Sequence, residues 1–171
     1  ASLLHLVATG MGKEISLPSR PETMICNEAG ISLIKKWEGY HGPENDGLLH
    51  SYICPAGVHT IGWGSTYIDG APVDVQTACT PEQAEGLLRK EIGRAEKAIG
   101  KLITAELTEN MFAALCSWTY NLGTGVLQRS SLRRLYSNEG RYEEAADELL
   151  RWMFCNERRL RGLVLRRTDE R

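Results

Sequence analysis

Three side chains stand at spacings that could do chemistry. Glu38 closes the apolar stretch "ISLIKKWE", Cys54 follows after fifteen residues, and Thr60 follows after five more, inside "CPAGVHTIGWGST". A carboxyl group set between an apolar helix end and a glycine-rich hairpin has the surroundings of a proton donor. Burial beside an aromatic ring such as that of Trp37 keeps a carboxyl group protonated toward neutral pH, as general acid catalysis requires. The same residue also fits a surface glutamate that ends a helix. Cys54 begins the turn that folds the stretch back, and Thr60 alternates with Ile61, so the two point to opposite sides. Threonine is also a good strand former and cysteine a common packing residue. The residues alone therefore define a candidate acid-catalysis cleft and nothing narrower.

The elements around them have clear signals. Asn27 caps a helix whose Ile31, Ile34 and Trp37 form an apolar stripe and which Gly39 stops, so Glu38 sits at a helix C-terminus, where the dipole disfavours negative charge. Residues 39–50, "GYHGPENDGLLH", are turn chemistry. "SYIC", "PAG" and "VHTIGWGST" predict a hairpin, and Asp69-Gly70 a second turn. Thr80 and Gln83 form a capping box, with Pro81 at the first helical position, ahead of Ala84, Leu87, Leu88, Ile92, Ala95, Ile99 and Leu102. A helix of that length, about 30 Å, can bridge two lobes. Thr108 caps the next helix, with Phe112, Leu115 and Leu122 inward and Gly123 and Gly125 stopping it. "SSLRRLYSNEG", "RYEEAADELLRWMF" and "RGLVLRRTDER" predict three more helical segments. A small sheet followed by a helical majority is an α+β arrangement.

The composition sets bounds. One domain of 171 residues, 42% hydrophobic and 25% charged with a net charge of -2, is an ordinary globular chain, and nothing in its overall charge points to nucleic acid. Arg158, Arg159, Arg161, Arg166, Arg167 and Arg171 crowd the last fourteen residues, which fits either a solvated helix face or contact with an anionic polymer or membrane. Cysteines 26, 54, 79, 116 and 155 lack CxxC spacing and histidine neighbours, so no metal site is expected. Their odd number argues against a fully paired disulfide framework, and Cys116 is expected as a buried small hydrophobe. No run reaches the ~18 apolar residues that span a bilayer. Residues 1–26 are expected as a loosely structured lead-in. "SLLHLVA" within them is short, is interrupted by His5 and lacks a basic flank.

The strings "LIKKWEG", "CPAGVHTIGWGST", "ALCSWTYNLGTG", "ADELLRWM" and "GLVLRR" occur in this order over about 140 residues. So ordered, they resemble the lysozyme (endolysin) family of tailed bacteriophages, glycoside hydrolase family 24, from about residue 27 to the end. The resemblance implies a lysozyme-like α+β fold: a small antiparallel β-hairpin sheet in an N-terminal lobe, joined by a long helix to a helical C-terminal lobe. The catalytic domain would be residues 27–171, with a cleft between the lobes.

It also implies hydrolysis of the β-1,4 bond between N-acetylmuramic acid and N-acetylglucosamine in peptidoglycan, by a monomer without cofactor. Such an enzyme is made in the host cytoplasm and acts on the wall from the periplasm after release. Glu38 would be the acid, and Cys54 and Thr60 would position a water on the opposite face of the sugar. The family spacing places eight residues between acid and middle position, so this chain carries a seven-residue insertion, roughly 41–47. Asp46, within it, is the rival to Cys54. Asn121 would hydrogen-bond sugar, and Arg166 or Arg167 would pair with an acid near the lobe junction, possibly Glu38 itself. Ser65 replaces the usual histidine of the family, so that histidine's hydrogen bond is missing or replaced, and His59 stands where tryptophan is common. Trp63 is expected to pack behind the hairpin, and Trp152 and Phe154 in the core. A lytic transglycosylase or chitinase, the domain of an antibacterial effector, and an inactive wall-binding module are the alternatives.

Overall fold

The computed structural model describes residues 17–139, 141–152, 154–155, 158–159 and 161–171; for 136–139, 154–155, 158–159 and 161–164 the description is of the backbone. The first sixteen residues of the expected lead-in and the side chains of Phe154, Cys155, Arg158, Arg159 and Arg161 lie outside it.

Helix α1 (Glu28–Glu38) starts where Asn27 Oδ1 accepts the Gly30 N–H at 2.9 Å, and it stops at Gly39, whose φ of 69° leaves the helical region. Ile31 and Ile34 are buried against α3 (Glu109–Leu122). Gly30 permits that approach: a Cβ there would lie 2.8 Å from Ala113 Cβ and 2.6 Å from Cys26 Sγ. Ile34→Ala would therefore leave a cavity in a filled interface, at a cost of about 2–5 kcal/mol.

Between α1 and the long helix come six short strands in three antiparallel pairs rather than one sheet. They are β1 (Leu49–His50) with β6 (Ala78–Cys79), β2 (Tyr52–Ile53) with β3 (His59–Thr60), and β4 (Tyr67–Ile68) with β5 (Ala71–Pro72). Leu49 and His50, expected as turn, thus pair with a strand. The Pro-Ala-Gly turn forms as read: Cys54 N–H donates to Val58 O and Gly57 N–H to Cys54 O. Asp69 and Gly70, at φ 50° and 80°, make the second.

Helix α2 (Pro81–Leu102) has the reciprocal Thr80–Gln83 capping box, and it buries Ala84, Leu88, Ile92, Ala95 and Ile99. Its far end meets the described lead-in, which is docked rather than loose. Ser19 exchanges backbone hydrogen bonds with Leu107, Pro21–Thr23 form a 3-10 turn, and Glu22 backbone lies 3.0 Å from where a Gly100 Cβ would be.

Thr108 caps α3, which buries Phe112 through Thr119 and ends at Gly123. Gly125 does not end it; it belongs to the short α4 (Thr124–Arg129), which the sequence reading did not separate. Helices α5 (Ser131–Glu139) and α6 (Tyr142–Leu149) follow. The last expected segments need correction. Helix α6 stops at Leu149 instead of running to Phe154, because β7 (Phe154–Cys155) pairs with β8 (Arg158–Arg159) ahead of α7 (Arg161–Glu170).

The core is one cluster, from Leu49, Ile61 and Trp63 by way of α2 to Leu115, Trp118 and Leu127. Trp152 packs edge-on against Trp118 at 5.3 Å. Cys26, Cys79 and Cys116 are buried free thiols and Cys54 is half-buried. Among the described residues, no helix is long and apolar enough to cross a membrane.

Candidate active site

The β2–β3 hairpin sorts its side chains by register. Tyr52 lies opposite Thr60 and Ile53 opposite His59, and the Cys54 N–H to Val58 O bond continues the ladder. Alternation then puts Tyr52, Cys54 and Thr60 on one face. Thr60 is buried, and its hydroxyl donates to Val58 O at 3.0 Å.

Cys54 stands at the mouth of the turn. The Val58 and Ala56 N–H groups and the Thr60 hydroxyl bring its thiol below the ordinary value, since each favours the thiolate, and the slight burial works the other way. Tyr52 is pushed up by burial and by the Cys54 and Glu38 charges, so it remains a neutral hydroxyl that sits in the field of both. Tyr52 thereby marks the meeting of the hairpin face with the end of α1.

Glu38 is fixed from behind. Arg166 Nη1 donates to its Oε1 at 2.6 Å, while Oε2 faces Gly64, where a Cβ would stand 3.5 Å away. Arg166 is itself saturated: Nε donates to Glu170 Oε1 at 3.0 Å, and Nη2 to the Ser117 carbonyl at 2.8 Å and hydroxyl at 3.2 Å. The Ser117 hydroxyl donates to Glu170 Oε1 at 2.6 Å. Arg167 Nη1 takes Glu170 Oε2, its Nη2 donates to Asn121 Oδ1, and its Nε to Trp152 O at 3.1 Å. Burial pulls Arg167 below the usual arginine range, and Glu170 opposes that pull. Two carboxylates and two guanidinium groups thus close a buried, electrically balanced chain from Glu38 to Asn121.

The expected residues divide accordingly. Glu38, Arg166, Arg167 and Asn121 fall in one network, and Cys54 and Thr60 share the hairpin face that meets it. Asp46 stands apart, braced in its own loop. Its Oδ1 accepts the Leu48 N–H at 2.9 Å and its Oδ2 lies 2.9 Å from His50 Nε2, and these contacts lower its pKa. Trp37 does not form the wall beside Glu38, because its indole N–H reaches Asp169 at 3.1 Å. Trp63 packs into the core as expected, and its carbonyl accepts the Tyr120 hydroxyl at 2.8 Å. Arg166 and Arg167 are buried rather than part of a solvated face.

Sequence reasoning missed Tyr52, Ser117, Tyr120 and Glu170. Two of them were within reach: Tyr52 is two positions before Cys54 in an alternating strand, and Glu170 is four and three positions after the two arginines on one helix face.

A cavity of about 700 Å³ approaches Glu38 through Gly64, while Glu38, Cys54 and Thr60 are not among its lining residues. It runs from Gly64 and Tyr120 between β4–β5 and the helices, lined further by Ser65, Thr119, Glu91 and Arg94. Burial and the Glu38 and Glu91 charges push Tyr120 well above the ordinary phenol value, so it too is a neutral donor.

The phage lysozyme family model matches residues 35–170, which contain every one of these groups. The chain belongs to the phage lysozyme family. It is 38% identical over 149 residues to the endolysin of Bacillus phage PZA, covering 86% of this chain and 54% of that protein. It is 33% identical over 152 residues to the endolysin of Acyrthosiphon pisum secondary endosymbiont phage 1, covering 86% and 96%. The chain thus spans about half the length of the Bacillus phage relatives it matches and nearly all of the other. The solved endolysin from Escherichia coli O157:H7 phage FAHEc1 superposes with a TM-score of 0.75 at 32% identity, over 86% of this chain and 91% of that one. A phage lysozyme fold, α+β with short antiparallel strand pairs and several helices, is therefore what the residues build.

Proposed function

We propose that this chain is a muramidase that hydrolyses the β-1,4 bond between N-acetylmuramic acid and N-acetylglucosamine of bacterial peptidoglycan, with residues 27–171 as its catalytic domain. The observation that carries the reading is the divided use of the Glu38 carboxyl group: Oε1 is committed to Arg166, and Oε2 is turned to Gly64 at the head of the cavity. Oε2, left free by Arg166, is the oxygen placed to pass a proton to the leaving oxygen.

On the opposite side of the sugar, Cys54 and Thr60 orient the attacking water. The thiolate, favoured by the turn's N–H groups, accepts the water's proton, and the Thr60 hydroxyl fixes its position. Attack from the face opposite the acid inverts the anomeric centre, and it requires a separation of about 6.5–9.5 Å between acid and base. Asn121, with Oδ1 held by Arg167, offers its amide hydrogens to a sugar. The enzyme works as a monomer on the glycan strand, from the periplasm, after release from the cytoplasm in which it is made.

The test is release of reducing muropeptides from purified peptidoglycan, under reducing conditions, by the wild type, Glu38→Gln, Cys54→Ala and Asp46→Asn. Loss in the first two variants and retention in the third supports the reading. A dead Asp46→Asn beside an active Cys54→Ala transfers the base to the loop. Products with a 1,6-anhydro end, lighter by one water, make the enzyme a lytic transglycosylase instead.

A further inference from the structure

The loop of residues 39–48 lengthens the path from acid to hairpin, and its geometry gives it a use. It is braced internally: Glu44 N–H donates to Leu48 O at 2.9 Å, Gly47 N–H to Glu44 O at 2.9 Å, and Asp46 ties Leu48 to His50. Its leading edge is fastened to rings. Tyr40 stacks on Trp63 at 4.4 Å with planes 14° apart, and the His41 ring rests on Tyr52 at 4.2 Å and 31°. Tyr52 shares the hairpin face of Cys54 and Thr60. His41 is exposed, so its ring is not enclosed by its packing on Tyr52.

We propose that His41 is a substrate-contacting residue: backed by Tyr52, its ring forms a platform for an N-acetylhexosamine ring of the glycan next to the Glu38–Cys54 gap. This rests on the muramidase reading and adds to it a subsite supplied by the loop. A pyranose presents C–H groups on its faces, and these pack on a flat π-surface. A ring already seated on another ring loses little freedom when the sugar arrives, which keeps the ordering cost of binding low. Contact between ring and sugar lasts from bound substrate to transition state, so it acts on KM rather than kcat.

The experiment compares wild type, His41→Ala and His41→Tyr on soluble glycan strands. It also measures calorimetric binding of tetra-N-acetylchitotetraose to Glu38→Gln with and without each His41 change. His41→Ala raises KM and Kd by about fivefold to tenfold with kcat within about twofold, and His41→Tyr restores both, since a flat ring is what the contact needs. Unchanged KM and Kd in His41→Ala overturn the proposal. So does a His41→Tyr as impaired as His41→Ala, because that makes the imidazole nitrogen, not the ring face, the operative group. A wild type that releases no reducing ends defeats the muramidase reading alone, and tetrasaccharide binding then still decides the platform.

Discussion

Arg166 and Glu38 meet at 2.6 Å, with the arginine side chain 4% exposed and the glutamate 17%. The pair joins the last helix of the chain to the end of the first, and Glu170 and Ser117 share the same guanidinium. Arg166→Ala strands two carboxylates in a poorly solvated space. The expected loss is about 3–5 kcal/mol, measured by urea denaturation. Arg166→Lys, unable to reach all four acceptors at once, recovers only part of it.

Cys54, as the proposed base, and Thr60 beside it set the acidic limb of the activity. A base must lose its proton to act, so kcat/KM rises with pH through the thiol pKa, which the turn's N–H groups hold below the ordinary value. Thr60→Val removes the polar hydroxyl beside the thiol that helps hold it low, and the rising limb moves to higher pH. Cys54→Asp moves it down to the carboxylate range, near 3.9 for an unperturbed side chain. The pH dependence of kcat/KM and the rate of iodoacetamide alkylation of Cys54 both read this shift.

Gly64 has φ 96° and borders Glu38 Oε2. Gly64→Ala forces a side chain into left-handed backbone, at a cost of about 1–2 kcal/mol, and puts a methyl group beside Glu38 Oε2, the proposed acid's free oxygen. Thermal unfolding reports the first effect. A fall in kcat larger than the change in KM reports the second.

Ser65 is buried, and its hydroxyl makes no side-chain hydrogen bond among the described residues. It lines the same cavity as Glu91, which pairs with Arg94 at 2.7 Å. Ser65→His places an imidazole toward that carboxylate. The carboxylate raises the histidine's folded pKa, so the gain, about 0.2–1 kcal/mol, is fully present below the unfolded value of ~6.5. It disappears as pH rises through the folded value. Denaturation midpoints at pH 5 and pH 8 check the sign.

Much of this architecture is legible in local chemistry. Asn27, Thr80 and Thr108 each cap the helix assigned to them, and the Cys54–Val58 turn and the Asp69-Gly70 turn form as their residues dictate. These are short-range effects, decided within four residues. What could not be read is set by distant partners. Helix α6 stops at Leu149 although its pattern runs on, because Phe154 and Cys155 find β8. Trp37 leaves Glu38 for Asp169, 132 residues away. The site divides in the same manner: register fixes the hairpin face, but Glu170 and Ser117 enter only through the packing of α7 on α3.

The Glu38–Arg166 contact spans 128 positions of sequence, which gives the fold a history as well as a shape. At roughly 5–20 residues per second of synthesis, the ribosome delivers the arginine on the order of ten seconds after the glutamate. By the end of that interval the nascent chain has Glu38, its hairpin and its long helix, yet has nothing to orient the carboxyl group. Assembly of the site is thereby a late event in translation, and a polypeptide interrupted before α7 would carry the Glu38 carboxyl group unanchored.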